Sequence, residues 1–413
     1  MGHCISVTLP CSEKPLTATS GESTYTFHIS KTIAAVDAAH WDNLLPPDHF
    51  FLSRSYLKAL EESTGIEVQY RYLEIYHHRK PAGLGFFQII NFRGSNIEND
   101  GAGGKKSVLA YAGFALRRLV VSVVNKISLN LLVSGNTFVT GEYGFYFLPE
   151  VQADSNLLQP IREGIEKIIS ESDVKISGFL IKDFYEQDKS RVEGLRQAGF
   201  LEFRVNPNMI LEVKPSWKKQ DDYLGEMASK YRTRMKKAMK RAEPLKIREM
   251  NAAELQQLLP VMSALYDEVV DEAAFKLAKL NIEYIVRLKI ELGEKFGVLG
   301  FFKGDELVSF ISYYLHEKDL VAGYMGMKRS LNHEYDLYLN VLLKLAETGI
   351  SKGMKQVIYG RTAMEIKSSV GALPHTMLLY VRHRSSLVNF IIRQVVRYLS
   401  KEEKWTLRSP FKN

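Results

Sequence analysis

Cysteine is nearly absent from this 413-residue chain: Cys4 and Cys11 are its only two, both close to the start. Two thiols among the Ser, Thr and Pro residues of 1–24 exclude a disulfide framework and a Cys₄-type zinc site, and they fit a reducing compartment. The chain also lacks a run of about eighteen apolar residues, so no helix is expected to cross a bilayer. Residues 1–24 read as a flexible tail without the apolar centre of a secretion signal, and a cytoplasmic location is expected. The ten histidines show no HExxH or comparable spacing. His77 and His78 are adjacent on a strand, where neighbours point to opposite faces, so no metal is expected. A Gly-x-Ser-x-Gly nucleophile elbow is missing as well.

What remains is an ordinary globular composition, 46% hydrophobic and 25% charged, long enough for two domains. The net charge of +8 favours anions without reaching the basicity of a dedicated nucleic-acid binder. The charge is concentrated in "SKYRTRMKKAMKRAE" (229–243), which carries seven cations in fifteen positions. On a helix, Tyr231, Met235, Ala238 and Ala242 form an apolar stripe. Lys230, Arg234, Lys237 and Arg241 make one cationic row, and Arg232, Lys236 and Lys240 another. The spacing predicts a helix docked on the protein, its charges facing either water or a bound anion.

The same order of parts occurs twice. "VQYRYLEIYHHRKPAGLGFFQIINF" reads as a hairpin turning at 78–81, and "FGVLGFFKGDELVSFISYYLHEKDLVAGYMGM" (296–327) as a three-stranded meander. In the first half follow a helix (157–170), a strand (174–181), a short helix (189–198) and a closing strand. In the second come a helix (335–352), a strand (355–360), a short helix (363–370) and a closing strand. This predicts a diverged duplication with domains at 25–215 and 216–385, joined near "VKPSWKKQDD", and a final segment at 386–413.

A meander, a crossover helix and a final hairpin resemble the GNAT acyltransferase fold. "SKYRTRMKKAMKRAE", "LYLNVLLKLAETGISKGMKQVIYGRT" and "AMEIKSSVGALP" resemble the branch related to the FemABX peptidoglycan-bridge enzymes. The resemblance implies an α/β (α+β) fold of two tandem GNAT-like domains, each a mixed, mostly antiparallel sheet flanked by helices, with the second domain catalytic. It implies an N-acyltransferase moving an acyl group from a thioester, acyl-CoA or acyl carrier protein, to an amine such as a lipid or long-chain amino base. Two other readings stay open: aminoacyl transfer from aminoacyl-tRNA in cell-wall synthesis, and a non-catalytic binding module. The chain departs from the family at the donor loop, where "MKRSLNHEYDLY" (327–338) has no glycine. A glycine-rich loop lets backbone N–H groups approach a pyrophosphate. Here Lys328, Arg329 and the following helix start are left to hold an anion.

Direct attack of an amine on an acyl carbonyl needs a base, a carbonyl polariser and help for the leaving group. Glu334 is a candidate base and Tyr324 a candidate donor to the leaving atom, although Glu334 also suits a solvated helix start and Tyr324 a core. Asp336, beside them, suits a helix N-terminus. Arg361 follows a buried-looking strand, where ligand-facing residues of open α/β sheets collect, and Glu365, a further catalytic candidate, and Lys367 come within two turns. In the branch that the chain resembles this lysine belongs to a recurrent motif, and the resemblance implies that Arg361 and Lys367 contact carboxylate, phosphate or acyl oxygen, with an Arg361–Glu365 ion pair as the structural alternative. Residues 114–131, within an insertion at 93–134, and residues 386–399 read as basic amphipathic helices. They suggest contact with a membrane surface at the inner face of the cell membrane, or packing on the protein.

Overall fold

Tight turns make the hairpins that the sequence predicts. His78 and Arg79 both take positive φ (49° and 65°), which matches the twist of a two-residue hairpin between β2 (Val68–His77) and β3 (Lys80–Arg93). Gly304 (φ 59°) and Glu317 (φ 53°) turn β9 (Phe296–Lys303) into β10 (Glu306–His316) and β10 into β11 (Asp319–Met327). The computed structural model describes residues 24–46, 49–63, 68–93, 128–141, 144–153, 157–192, 194–270, 281–399 and 405–412. The remaining strands are β1 (Tyr25–Ser30), β4 (Ser128–Ser134), β5 (Phe145–Phe147), β6 (Ile176–Tyr185), β7 (Leu201–Glu212), β8 (Leu245–Glu249), β12 (Gln356–Gly360) and β13 (Leu373–His383).

All of these strands join one sheet, in the order β1-β2-β3-β4-β6-β13-β7-β12-β11-β10-β9-β8, with β5 added beside β3. Pairing is antiparallel except at two places, β4 with β6 and β11 with β12. Both parallel pairs are joined by crossovers that contain a helix, Leu158–Ser170 in the first half and Leu337–Ser351 in the second. The first of these helices shows why it docks: Ile161, Ile165 and Ile168 recur at helical spacing and are buried.

Each half was expected to close its own sheet, but the closing strands are exchanged. β7, from the first half, pairs with β12 of the second, and β13, from the second, pairs with β6 of the first. The two exchanged strands pair with each other at the centre. Packing follows the exchange: Met209 and Leu211 of β7 belong to the core of the second half, and Leu378 and Tyr380 of β13 to that of the first. A third apolar cluster lies between the halves and holds Phe50, Phe51 and Tyr56 together with Tyr284, Phe296 and Tyr314.

The basic helix forms over Ser229–Ala242 and buries Met235, Ala238 and Ala242, as its stripe requires. Of its cations, Lys230, Arg234, Lys236, Lys237, Lys240 and Arg241 are exposed and Arg232 is half-buried. Arg241 bonds the Asp336 carboxylate at 3.0 Å. The predicted amphipathic helix at 114–131 is not upheld where it can be seen. Residues 114–127 lie outside the described residues, and 128–131 begin strand β4, whose backbone is paired on both sides by β3 and β6. The central place of β4 in the sheet overrides the helical spacing. The second predicted amphipathic helix does form, over Ser386–Leu399, and leaves Leu387 and Phe390 exposed.

Candidate active site at the seam

The ends of the two crossover strands share one irregularity. β6 carries a bulge against β13 between the pairs of Ile181 and Phe184, and β12 carries one against β7 between the pairs of Ile358 and Gly360. Both bulges contain a left-handed residue, Asp183 at φ 66° in β6 and Gly360 at φ 84° in β12. A bulge re-aims side chains and disrupts the ladder locally, and pairing resumes just beyond it at Phe184 and Tyr185 in β6 and at Gly360 in β12, where the strands end. Left-handed backbone costs a residue with a Cβ about 1–2 kcal/mol, less for Asp, so Asp183 has to be held in place by its contacts.

The Asp183 carboxylate is fully buried and fully engaged. One oxygen accepts from Arg361 Nη1 at 3.0 Å, and the other accepts from the Gly141 N–H at 3.1 Å and pairs with Lys182. Lys182 Nζ donates to the carbonyls of Asn136 (3.1 Å) and Val139 (2.8 Å). Burial lowers the Lys182 pKa and the nearby Arg361 charge lowers it further, while Asp183 opposes both. Together these bonds tie the segment 136–141 over the seam. The Asn136 amide donates to Tyr56 Oη at 2.6 Å, and Tyr324 Oη of the second half donates to the Phe138 carbonyl. Burial raises the Tyr324 pKa well above that of a free phenol.

Lys367 lies at the other bulge. It sits on the short helix Met364–Ser369, is 3% exposed, and donates from Nζ to the Gly360 carbonyl at 3.2 Å. Burial without a carboxylate partner lowers its pKa to about 7, so near neutral pH a large fraction of this amine carries no charge. The helix is held by the end of the chain. The Arg408 N–H donates to Ser368 Oγ at 3.0 Å, Arg408 Nε bonds Glu365 at 3.1 Å, and the Phe411 ring packs at a tilt against Trp217. Arg361, the residue after Gly360, remains 30% exposed and joins the two bulges through Asp183.

The structure thus brings Arg361, Lys367 and, through segment 136–141, Tyr324 to the seam. Glu365 faces away and pairs with Arg408, so the alternative Arg361–Glu365 pair does not form. Glu334 is exposed on a helix at Arg329–Tyr335, and Lys328, next to that helix, pairs with Glu306 at 2.6 Å. The Arg329 N–H donates to Glu268 at 2.8 Å. This helix occupies the chain between β11 and its crossover helix, where a glycine-rich donor loop was sought. The Tyr338 N–H in the first turn of the crossover helix is taken by Asn332 at 3.0 Å, and Asp336 stands at its start. The Asn332 amide oxygen therefore already takes an N–H at an end that would otherwise attract a pyrophosphate, and the Asp336 carboxylate, bonded to Arg241, stands beside it. Between the basic helix and this crossover helix lies a cavity of about 220 Å³, lined among others by Met239, Leu245, Asn340 and Leu343.

Sequence reading missed Lys182 and Asp183. The available signal was a Lys-Asp pair at the end of the apolar run "ISGFLIKDFY", an unusual place for two charges. It also missed a group formed by His49, His316 and Glu317, which are far apart in the chain and meet only in the fold.

No family model and no curated protein matches this sequence. Solved structures match in fold. FemX, at 10% identity, aligns over 87% of this chain and 97% of its own with a TM-score of 0.50. A tandem GNAT protein from the clavulanic acid biosynthesis pathway aligns over 87% and 99% at 9% identity, TM-score 0.46. The C-terminal domain of a putative lysylphosphatidylglycerol synthetase from Agrobacterium fabrum aligns over 89% and 98% at 7% identity, TM-score 0.44. At such identities the likeness is one of fold, and the FemX alignment carries it: the chain has the tandem GNAT-like, FemX-like α/β architecture.

Proposed function

We propose that the protein is an acyltransferase which moves an acyl group from an activated carrier to an amine by direct attack at the seam. The observation that carries this reading is the buried, partner-poor Lys367 amine at the Gly360 bulge, next to the half-buried guanidinium of Arg361. In the proposed step the acceptor nitrogen attacks the acyl carbon, and the bond from that carbon to the carrier's sulfur or oxygen breaks. The acceptor ammonium first loses one proton to solvent, the free amine attacks, its nitrogen then gives a second proton to neutral Lys367, and the leaving atom takes that proton up. Arg361 faces the carbonyl oxygen as negative charge grows on it, and Asp183 fixes the guanidinium in that direction. Tyr324 holds segment 136–141 over the site. Lys328, Arg329, Glu334 and Glu365 take no chemical part in this scheme.

For the carrier, a thioester remains the first reading. The occupied start of the crossover helix favours a second one, an aminoacyl ester on tRNA, because an acyl-CoA pyrophosphate would have to displace Asn332 and lie against Asp336. The exposed row of Lys230, Arg234 and Lys237 suits the anionic part of either carrier. Exposed Leu387 and Phe390 on the basic helix Ser386–Leu399 support an acceptor at a membrane surface, and no helix among the described residues is long and apolar enough to cross one.

The test incubates the purified chain with radiolabelled acyl-CoAs of graded length and, separately, with aminoacyl-tRNA. Each donor is offered total lipid extract and cell-wall precursors as acceptors. Label should move into an amide product in the wild type and not in Lys367→Met. Failure of every donor to release its carrier with either acceptor set would overturn the reading.

A further inference from the structure

Three side chains that the transfer site does not use converge where the first half meets the turn between β10 and β11. His49 comes from the segment before the helix Arg54–Ser63, His316 ends β10, and Glu317 is the left-handed turn residue at φ 53°. One ligand atom from each lies within 4.8 Å of the others, and His49 Nδ1 is 4.0 Å from Glu317 Oε1. The imidazoles stand 5.5 Å apart, in an apolar surround of Phe50 (5.1 Å from the His316 ring), Phe51 (4.9 Å) and Tyr146 (5.4 Å from the His49 ring). His49 Nε2 is buried without a hydrogen-bond partner. Apolar packing alone gives no reason to spend two imidazoles and a carboxylate here, since unpaired buried nitrogen is unfavourable.

We propose that His49, His316 and Glu317 bind one divalent transition-metal ion of the zinc class and so clasp the two halves together. Two nitrogen donors and one carboxylate suit zinc, iron or nickel and disfavour magnesium and calcium, which take oxygen ligands. Bonds of about 2.0–2.2 Å place tetrahedral ligands about 3.4 Å apart, so the group has to close by about 1 Å. The Glu317 side chain, 60% exposed, has the freedom to make that movement. Three protein ligands leave a fourth position to water. The site lies at the opposite end of β12 from the Gly360 bulge. Asp319, just after Glu317, pairs with Gln356 at the start of β12, whereas Arg361 follows its end.

The proposal stands apart from the transfer chemistry, because its readout is metal binding. The full chain, with Cys4→Ser and Cys11→Ser to remove competing thiols, is stripped with chelator and titrated with Zn²⁺ by calorimetry and thermal shift. One ion per chain, a dissociation constant below about 1 μM, and a midpoint raised by several degrees are expected, as for any ligand that binds only the folded state. Mg²⁺ should have no effect. Glu317→Gln, at an exposed position, and His49→Ala should each weaken binding at least tenfold, with the apo midpoint confirming that both variants fold. Bound Co²⁺ should show a tetrahedral absorption spectrum that both variants lose. Absence of stoichiometric binding, or binding that both variants leave unchanged, overturns the proposal.

Discussion

The two bulges solve the same geometric problem with opposite chemistry. In the first half, Asp183 adopts the left-handed backbone despite its Cβ and is locked by Lys182, Arg361 and the Gly141 N–H. In the second half, Gly360 adopts it freely, and its carbonyl accepts from a lysine that has no carboxylate at hand. One bulge is a saturated charge network and the other an unsaturated one. The difference suggests a division of labour: a network with every charge paired positions, while an amine held near its pKa exchanges protons. Arg361 belongs to both, since it follows the Gly360 bulge in sequence and bonds the Asp183 bulge in space.

The largest effect is expected where the unsaturated side is removed. Lys367→Met should lower transfer at least 100-fold, the range of general acid–base contributions, without loss of thermal stability at pH 7. The stability sign follows from the pKa values. Burial pushes Lys367 down to about 7 when folded against about 10.5 for an ordinary lysine, so between them the unfolded chain binds the extra proton. Stability from this group therefore rises with pH through that window, and its burial is unfavourable below it. Replacing the amine by an apolar chain removes that penalty, so the melting midpoint should hold or increase. A collapse of the midpoint would mark Lys367 as structural.

Breaking the saturated side should act on stability instead. Asp183→Ala leaves Lys182 buried and Arg361 unpaired, at a cost of about 3–5 kcal/mol in denaturant unfolding. A loss under about 1 kcal/mol would show that the network is not needed to hold the seam. Making the two bulges alike is a finer test. Gly360→Asp keeps a residue that tolerates left-handed backbone and brings a carboxylate towards Lys367, whose Nζ lies 3.9 Å from the new Cβ position. An opposite charge at that range raises a lysine pKa by about 1–3 units. The rising limb of the rate–pH profile should move up accordingly, and an unmoved limb would dissociate Lys367 from catalysis. The smallest effect is expected for Tyr324→Phe, which removes the bond to the Phe138 carbonyl and should cost about 0.5–1.5 kcal/mol.

Much of the fold was legible because local chemistry and tertiary demand agree in it. The turn at Gly304, the isoleucine stripe of the first crossover helix and the apolar row of the basic helix all formed where their periodicity lies. Legibility failed where the deciding partner is distant in sequence. Residues 128–131 carry a helical spacing but are claimed by β3 and β6 on either side. Which half β7 and β13 would join was not encoded in their alternation, since a strand's pattern specifies a face and not a neighbour. In the candidate site, Arg361 and Lys367 were readable from their place after a strand, whereas Asp183 acquires meaning only through the fold that brings Arg361 to it. Glu365 illustrates the reverse: its sequence neighbour Arg361 looked like its partner, and the chain terminus supplied Arg408 instead.

The exchange of closing strands has a consequence for the order in which the molecule is made. On a ribosome the first half emerges with β6 complete but without its neighbour, because β13 begins only at Leu373. Until β13 has been synthesised, β6 presents an open backbone edge and a core that lacks Leu378 and Tyr380. Such long-range pairing is slow and leaves edges available to other chains. Arrival of β13 is then the event that closes the first half and, through its pairing with β7, joins it to the second.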